Sequence, residues 1–243
     1  MRILDFHAHI GIHKDGMTKR SLSKHMADLK KYAVSYSVIF PFDTLSVEKS
    51  SFQLLEEARH HQNLFVFFRF NPNTIKKEEL EQALEPFRGV KLHPRAQNFD
   101  PLDERFSWIF DRLAKWGKPV LIHSRCERLE RTDPVRLVDL ARRFPILKVV
   151  LGHFGGALTD VFKQVKALDN LFLETSVMSS PHLIEEAVRV CGADKILFGS
   201  DVPFSDLEIE VLKVLKTHLS DAEKQKILFK NAARLLGLPQ QSF

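Results

Sequence analysis

The sequence predicts an α/β chain folded as a (β/α)8 TIM barrel. Three observations predict it: short apolar runs alternate with longer amphipathic ones from end to end, there are eight such runs, and the length of 243 residues approaches the roughly 250 typical of this barrel. A doubly wound open sheet shares the alternation. It asks for a glycine-rich phosphate turn after an early strand, and the sequence offers HAHIGIHKDG there instead.

Taken in order, the predicted strands are residues 2–7, 35–40, 64–70, 89–93, 119–123, 148–153, 171–175 and 195–200. Each is rich in Val, Ile, Leu or Phe with little polar alternation before its end, as expected of strands covered on both faces. Helical patterns lie between them at 46–61, 76–87, 104–117, 133–144 and 180–191, followed by 206–219 and 220–237 after the last strand. Several of these helices carry end signals. Asp133 before Pro134 reads as an N-cap with proline at the first helical position, Gly117 and Gly192 fall where a chain leaves its helix, and Ser220 with Glu223 forms a capping box. No linker, repeat or low-complexity stretch divides the chain, so a single domain over 1–243 is expected.

Composition narrows the function. No run of about 18 apolar residues suggests a membrane span, and the start from Met1 lacks the layout of a secretion signal. Cys126 and Cys191 sit in unrelated contexts, which suits a reducing compartment; a cytoplasmic protein is expected. The net charge of +5 comes from 36 basic and 31 acidic residues scattered over helix faces, so a small-molecule substrate is expected as partner, with no nucleic acid and no membrane. One chain leaves self-association into a homo-oligomer open.

In such a barrel the catalytic residues come from the C-terminal ends of the strands. Here the first predicted strand runs into His7 and His9, the fourth ends in Lys91 and His93, the fifth in His123, the sixth in His153 and the eighth in Asp201. His13 adds an imidazole in the first rim loop. On a regular strand, residues two apart share a face, so His7 and His9 aim at one point while Phe6 and Ala8 face the other way. A lone histidine at a strand end is more often a satisfied polar group than a ligand. Five apolar strands closing on ionisable groups at equivalent depth need another account. His7, His9, His123 and Asp201 supply the nitrogen and carboxylate donors of a catalytic zinc site with one open position. His153 follows as an electrostatic partner or proton shuttle. Three roles are open to Lys91: binding a substrate carboxylate, which is preferred, pairing with Asp201, or bridging two metals after carbamylation. Together with His93, Arg95 and Arg125 it forms the predicted substrate-binding set, and Arg69 is a further cation able to line the rim.

The ordered motifs DFHAH, GVKLHP, LIHS, LGHFGG, LFGSDVPF and KNAARLLGL run from Asp5 to Leu238. Together they resemble the amidohydrolase superfamily, specifically the amidohydrolase-related branch that also contains aminocarboxymuconate semialdehyde decarboxylase and related nonoxidative decarboxylases. The resemblance implies a metal-dependent barrel enzyme in which His7, His9, His123 and Asp201 hold a divalent ion, Zn2+ or another such as Mn2+, with His153 matching the histidine of the sixth strand. One ion per chain is preferred, although binuclear members use a carbamylated lysine on the strand that carries Lys91. Asn231, Arg234 and Leu235 match the ending that closes the last helix against the barrel.

Two chemistries share this donor set. In the first, hydrolysis of an ester, amide or lactone bond in a small, carboxylate-bearing substrate, a metal-bound water with its pKa lowered to about 7 is the nucleophile and Asp201 accepts its proton. The alternative is a nonoxidative decarboxylase, a lyase. A TatD-like phosphodiesterase ranks below both, because those relatives place a glutamate where this chain has Lys91. A barrel that binds metal without chemistry ranks last, since a structural zinc site needs no base beside an open position.

Overall fold

Strands buried on both faces must have every backbone group paired and both rows of side chains covered, and the apolar runs meet that demand by joining one sheet. The computed structural model describes residues 1–125 and 131–238; Cys126 lies outside the described residues. Among the described residues the strands are β1 (Leu4–Ile12), β2 (Lys19–Arg20), β3 (Tyr36–Pro41), β4 (Leu64–Phe68), β5 (Gly89–Leu92), β6 (Val120–Ile122), β7 (Val149–Leu151), β8 (Leu171–Glu174) and β9 (Ile196–Leu197). They form a nine-stranded sheet in the order β2-β1-β3-β4-β5-β6-β7-β8-β9, parallel throughout except for the antiparallel β1–β2 pair.

Two features of this sheet differ from the eight strands and closed ladder expected. The short β2 is an addition that the apolar pattern does not announce, because two residues with one charged side chain exposed carry no periodicity. The ladder is also open, running from β2 to β9. Between β1 and the segment after β9 there is one isolated bridge, Ala8 to Val202, with backbone hydrogen bonds from Phe6 N–H to Phe198 O, Asp201 N–H to His7 O and His9 N–H to Val202 O.

Helices α1 (Leu22–Lys31), α2 (Val47–Ala58), α3 (Lys77–Ala83), α4 (Ser107–Trp116), α5 (Pro134–Arg143), α6 (Thr159–Ala167), α7 (Pro181–Cys191) and α8 (Leu207–Leu215) follow. The end signals act as their chemistry requires. Asp133 accepts from Val135 N–H, Gly117 adopts φ 76°, and Ser220 and Glu223 cap each other's backbone. The predicted continuous helix over 220–237 is instead α9 (Asp221–Gln225), a π-helical turn over 226–230 and α10 (Asn231–Leu235). At the π turn the Ile227 carbonyl accepts Phe198 N–H from outside the helix, which takes it out of regular α-helical register. Asn231 then fastens α10 by donating to Ala193 O and Ile196 O, both at 2.7 Å.

Side chains on the two faces of the sheet build two apolar clusters. Ile39, Val66, Phe68, Ile122 and Leu151 pack outward against the helices, while Phe40, Phe67, Leu121, Val150 and Leu197 pack inward with Phe229 and Leu236 of the C-terminal segment. Phe6 belongs to the inner cluster and Ala8 to the outer one, so they do not share a face as strict alternation predicts. The reason is a register shift in β1 between Asp5 and Ala8. A bulge of this kind re-aims the next side chain, and it lets His7 follow Phe6 on the inner side. Asp5 pins the distortion by accepting from His7 N–H, Ser200 N–H and the Ser200 hydroxyl.

Candidate metal centre

The bulged middle of β1, which runs on past the predicted end at His7 to Ile12, and the turn after β9 bring His7, His9 and Asp201 together. One ligand atom from each lies within 4.8 Å of the others, and all three residues are buried. His7 Nε2 and His9 Nε2 each lie 3.1 Å from Asp201 Oδ1. The other nitrogen of His7, Nδ1, lies 2.8 Å from Glu174 Oε2, so that Nε2 is the nitrogen turned toward Asp201. A carboxylate behind a ligating imidazole fixes its tautomer and raises its basicity. His9 Nδ1 is a buried polar atom with no hydrogen-bond partner. Two imidazoles, one carboxylate and a carboxylate support fit a divalent ion, and the His7, His9 and Asp201 site is able to chelate one.

Glu174 is a residue that the sequence reading passes over. It ends the apolar run LFLE as the histidines end theirs, so the same strand-end signal marks it. Its carboxylate also accepts from Ser176 N–H at 2.5 Å and from the Ser176 hydroxyl at 2.9 Å. Gly199 packs directly on it, since a Cβ there would fall inside the Glu174 carboxyl. Ser176 Oγ in turn lies 3.1 Å from His153 Nδ1.

His153 and His123 form a second pair, with Nε2 of the first 2.9 Å from Nδ1 of the second. His123 is not within the three-ligand group; its Nε2 is buried without a partner. His153 Nδ1 lies 3.9 Å from Asp201 Oδ2. The backbone around both residues is unusual. From His153 through Ala157 every φ lies between 53° and 63°, and Asp201 has φ 57°. Gly155 and Gly156 accept such angles freely, whereas each other residue there costs on the order of 1–3 kcal/mol.

Lys91 lies fully buried at the same level, its Nζ 3.1 Å from His7 Nε2 and over the Phe40 ring. His93 stacks on His123 with ring centroids 3.7 Å apart. All predicted site residues except His7 line one cleft of about 480 Å³: His9, Lys91, His93, Arg95, His123, Arg125, His153 and Asp201, with Arg69 among them. Arg95 is exposed at its rim and Arg125 is half-buried.

Burial dominates the electrostatics. It brings His9 and His153 down to about 3, holds His93 and His123 well below the usual histidine range, and lowers Lys91 to about 7. His7 departs upward: burial and Lys91 oppose its protonation, and the Asp201 and Glu174 carboxylates outweigh them. Burial also opposes ionisation of Asp201, but His7 and the hydrogen bonds from His7 and His9 hold its pKa well below the usual carboxylate value.

A curled, mostly parallel sheet with helices around it and a His-His-Asp site between β1 and the turn after β9 defines a metal-binding α/β protein of the amidohydrolase type. Residues 4–238 match the amidohydrolase family, and the chain belongs to it. A gamma-resorcylate decarboxylase of Polaromonas sp. (strain JS666) is 28% identical over 188 residues, covering 66% of this chain and 53% of that protein. A 2-amino-3-carboxymuconate-6-semialdehyde decarboxylase of Caenorhabditis elegans is 25% identical over 150 residues, covering 53% of this chain and 37% of that protein. The chain thus matches about half, or less, of the length of these relatives. Among solved structures, a dihydroxybenzoic acid decarboxylase from Polaromonas sp. JS666, with bound manganese and 2-nitroresorcinol, superposes with a TM-score of 0.78 at 15% identity, covering 97% of this chain and 96% of that one. Among the described residues, no helix is long and apolar enough to cross a membrane.

Proposed function

We propose that the protein is a metal-dependent nonoxidative decarboxylase acting on a small carboxylic acid. The observation that carries this reading is the opening of the His7, His9 and Asp201 group into a cleft where cations outnumber acids, with Lys14, Arg69, Lys91, Arg95 and Arg125 against Asp43 and Asp201. The two curated relatives support it, both being decarboxylases.

In this reading His7, His9 and Asp201 hold a divalent ion, Mn2+ or Zn2+, and His123, which lines the same cleft, is the proposed fourth ligand. When bound, the ion supplies positive charge against the substrate's oxygens and stabilises electron density as the carbon–carbon bond breaks. Lys91, His93, Arg95 and Arg125 bind and orient the acid. Decarboxylation exchanges one proton for one carbon dioxide at the same carbon. Asp201 and His153, facing each other at 3.9 Å, are the pair placed to hold and move that proton. The strained turns that present them lock each into one orientation.

Hydrolysis is the second reading, favoured by the family to which residues 4–238 belong. It uses the same donors, with Asp201 taking a proton from water and His153 steadying the oxyanion. A product assay separates the two. Manganese-loaded protein is incubated with a panel of hydroxylated aromatic acids and, in parallel, with lactones and esters. Carbon dioxide release that disappears with a chelator is the expected result; hydrolysis of lactones without any carbon dioxide from the acids would overturn it.

The same reading takes residues 1–243 as one domain and the curled sheet as a (β/α)8 barrel drawn together between β1 and residues 198–202, which the cross-bonds there support. It also takes the protein as cytoplasmic and directed at small molecules instead of nucleic acid.

A further inference from the structure

Arg69 follows β4 and is 1% exposed, yet it is among the residues that line the cleft. Its backbone is clamped by Ser51, whose hydroxyl bonds both its N–H and its carbonyl. On the side chain, Nη1 donates to Pro41 O at 2.9 Å. Nε and Nη2 have no hydrogen-bond partner and are buried. The nearest acid, Asp43, stands 3.8 Å from Nη2, beyond hydrogen-bond distance, and is itself engaged by Lys14 at 2.6 Å.

The two unpaired nitrogens are not arbitrary. With Nη1 occupied, Nε and Nη2 present the side edge of the guanidinium, where two N–H bonds run parallel at the spacing of carboxylate oxygens. A buried donor without a partner costs about 1–3 kcal/mol, so a fork held rigid in this state gains from any ligand that satisfies both arms. Burial lowers Arg69 to about 10, and it remains charged at neutral pH.

Its position sets the size of that ligand. Pro41, which accepts from Nη1, is paired with Ile10, the residue after His9. The fork therefore stands about one to two strand spacings from the metal-binding residues, on the order of 5–10 Å. One small molecule bridges such a gap.

We propose that Arg69 is the anchor for a second carboxylate, so that the cleft selects small dicarboxylic acids whose other carboxylate lies at the His7, His9 and Asp201 site. This inference rests on the proposed carboxylic acid substrate and adds the second anionic group to it. The exposed Arg95 suits it less, since a mobile side chain in water gives up more entropy and gains less from each hydrogen bond.

The test is calorimetric titration of the manganese-loaded full chain with isophthalate, a diacid, and benzoate, a monoacid. Isophthalate is expected to bind at least about tenfold tighter. Arg69→Met removes that preference by weakening isophthalate alone, and Arg69→Lys restores only part of it, because one ammonium cannot offer two parallel donors. Equal affinities in the unaltered protein, or a preference that survives Arg69→Met, overturns the proposal. Should Arg69→Met fail to fold, the wild-type comparison and Arg69→Lys still decide. A diacid preference that depends on Arg69, with no carbon dioxide released from any acid, upholds this anchor and sinks the decarboxylase reading. Carbon dioxide release with an unchanged KM in Arg69→Lys does the reverse.

Discussion

Glu174 Oε2 lies 2.8 Å from His7 Nδ1, and neither side chain reaches solvent. This contact, made between residues 167 apart in sequence, decides which nitrogen of His7 faces Asp201. Glu174→Gln keeps the shape but removes the charge that holds the tautomer. Metal affinity is expected to fall about 10- to 100-fold, measured by competition with a chelating dye, with the circular dichroism spectrum unchanged. An affinity equal to wild type would show that His7 is oriented by something else.

Gly199 leaves the space that the Glu174 carboxyl occupies. Gly199→Ala overpacks that spot and is expected to cost about 1–3 kcal/mol, read as a lower denaturation midpoint. The cost shrinks in the Gly199→Ala, Glu174→Ala double variant if the clash is the cause. Additive effects would place the damage elsewhere.

Asp201 touches both His7 and His9 and lines the cleft. Asp201→Asn is expected to lower kcat by at least about 100-fold, the range for loss of an acid or base, with a much smaller change in substrate affinity. Near-normal turnover at unchanged metal content would remove Asp201 from proton transfer.

His25 reports on pH away from the metal centre. Arg20 Nε–H donates to His25 Nδ1 at 3.2 Å, so Nε2 carries the proton and faces Ser37 Oγ at 3.0 Å. A second proton on His25 would confront the Arg20 guanidinium. Burial and Arg20, partly offset by Asp28, hold the imidazole down to about 3. An unfolded histidine takes up its proton near pH 6.5, so the unfolded state gains as pH falls from 6.5 toward 3 and stability is lost across that window. The loss is about 2 kcal/mol by pH 5. In His25→Gln the loss of unfolding free energy between pH 7 and pH 5, read by denaturant titration at each pH, is expected to be smaller by that amount; parallel profiles would refute the assignment.

Removing the metal is expected to lower stability together with activity, because His7, His9 and Asp201 are brought together only by folding. At a free ion concentration of 100 times Kd the ion contributes about 2.7 kcal/mol. Addition of a chelator should lower the melting temperature of the wild type and leave His9→Ala nearly unaffected.

Much of the site was legible in the chain because the imidazoles and Asp201 close apolar runs, and a buried strand has few places for a charged or titratable side chain except its end. Lys91, His93 and His153 follow the same logic and all line the cleft. Arg69 was visible only as one cation among several. That its Nη1 is taken and its other edge is left open depends on Pro41 and Asp43, which belong to a different strand and loop.

Residue order by itself determined the eight apolar strands, most helix ends and the position of His123, His153 and Asp201 just past strand ends, since periodicity, capping and backbone pairing are local in sequence. Tertiary structure decided what depends on partners far along the chain: the bulge at Asp5 that turns His7 inward, the Glu174 carboxylate behind it, the π turn drawn out by Phe198, and the short β2. Each is a bond or a contact between remote segments, and no local pattern encodes where those segments will meet.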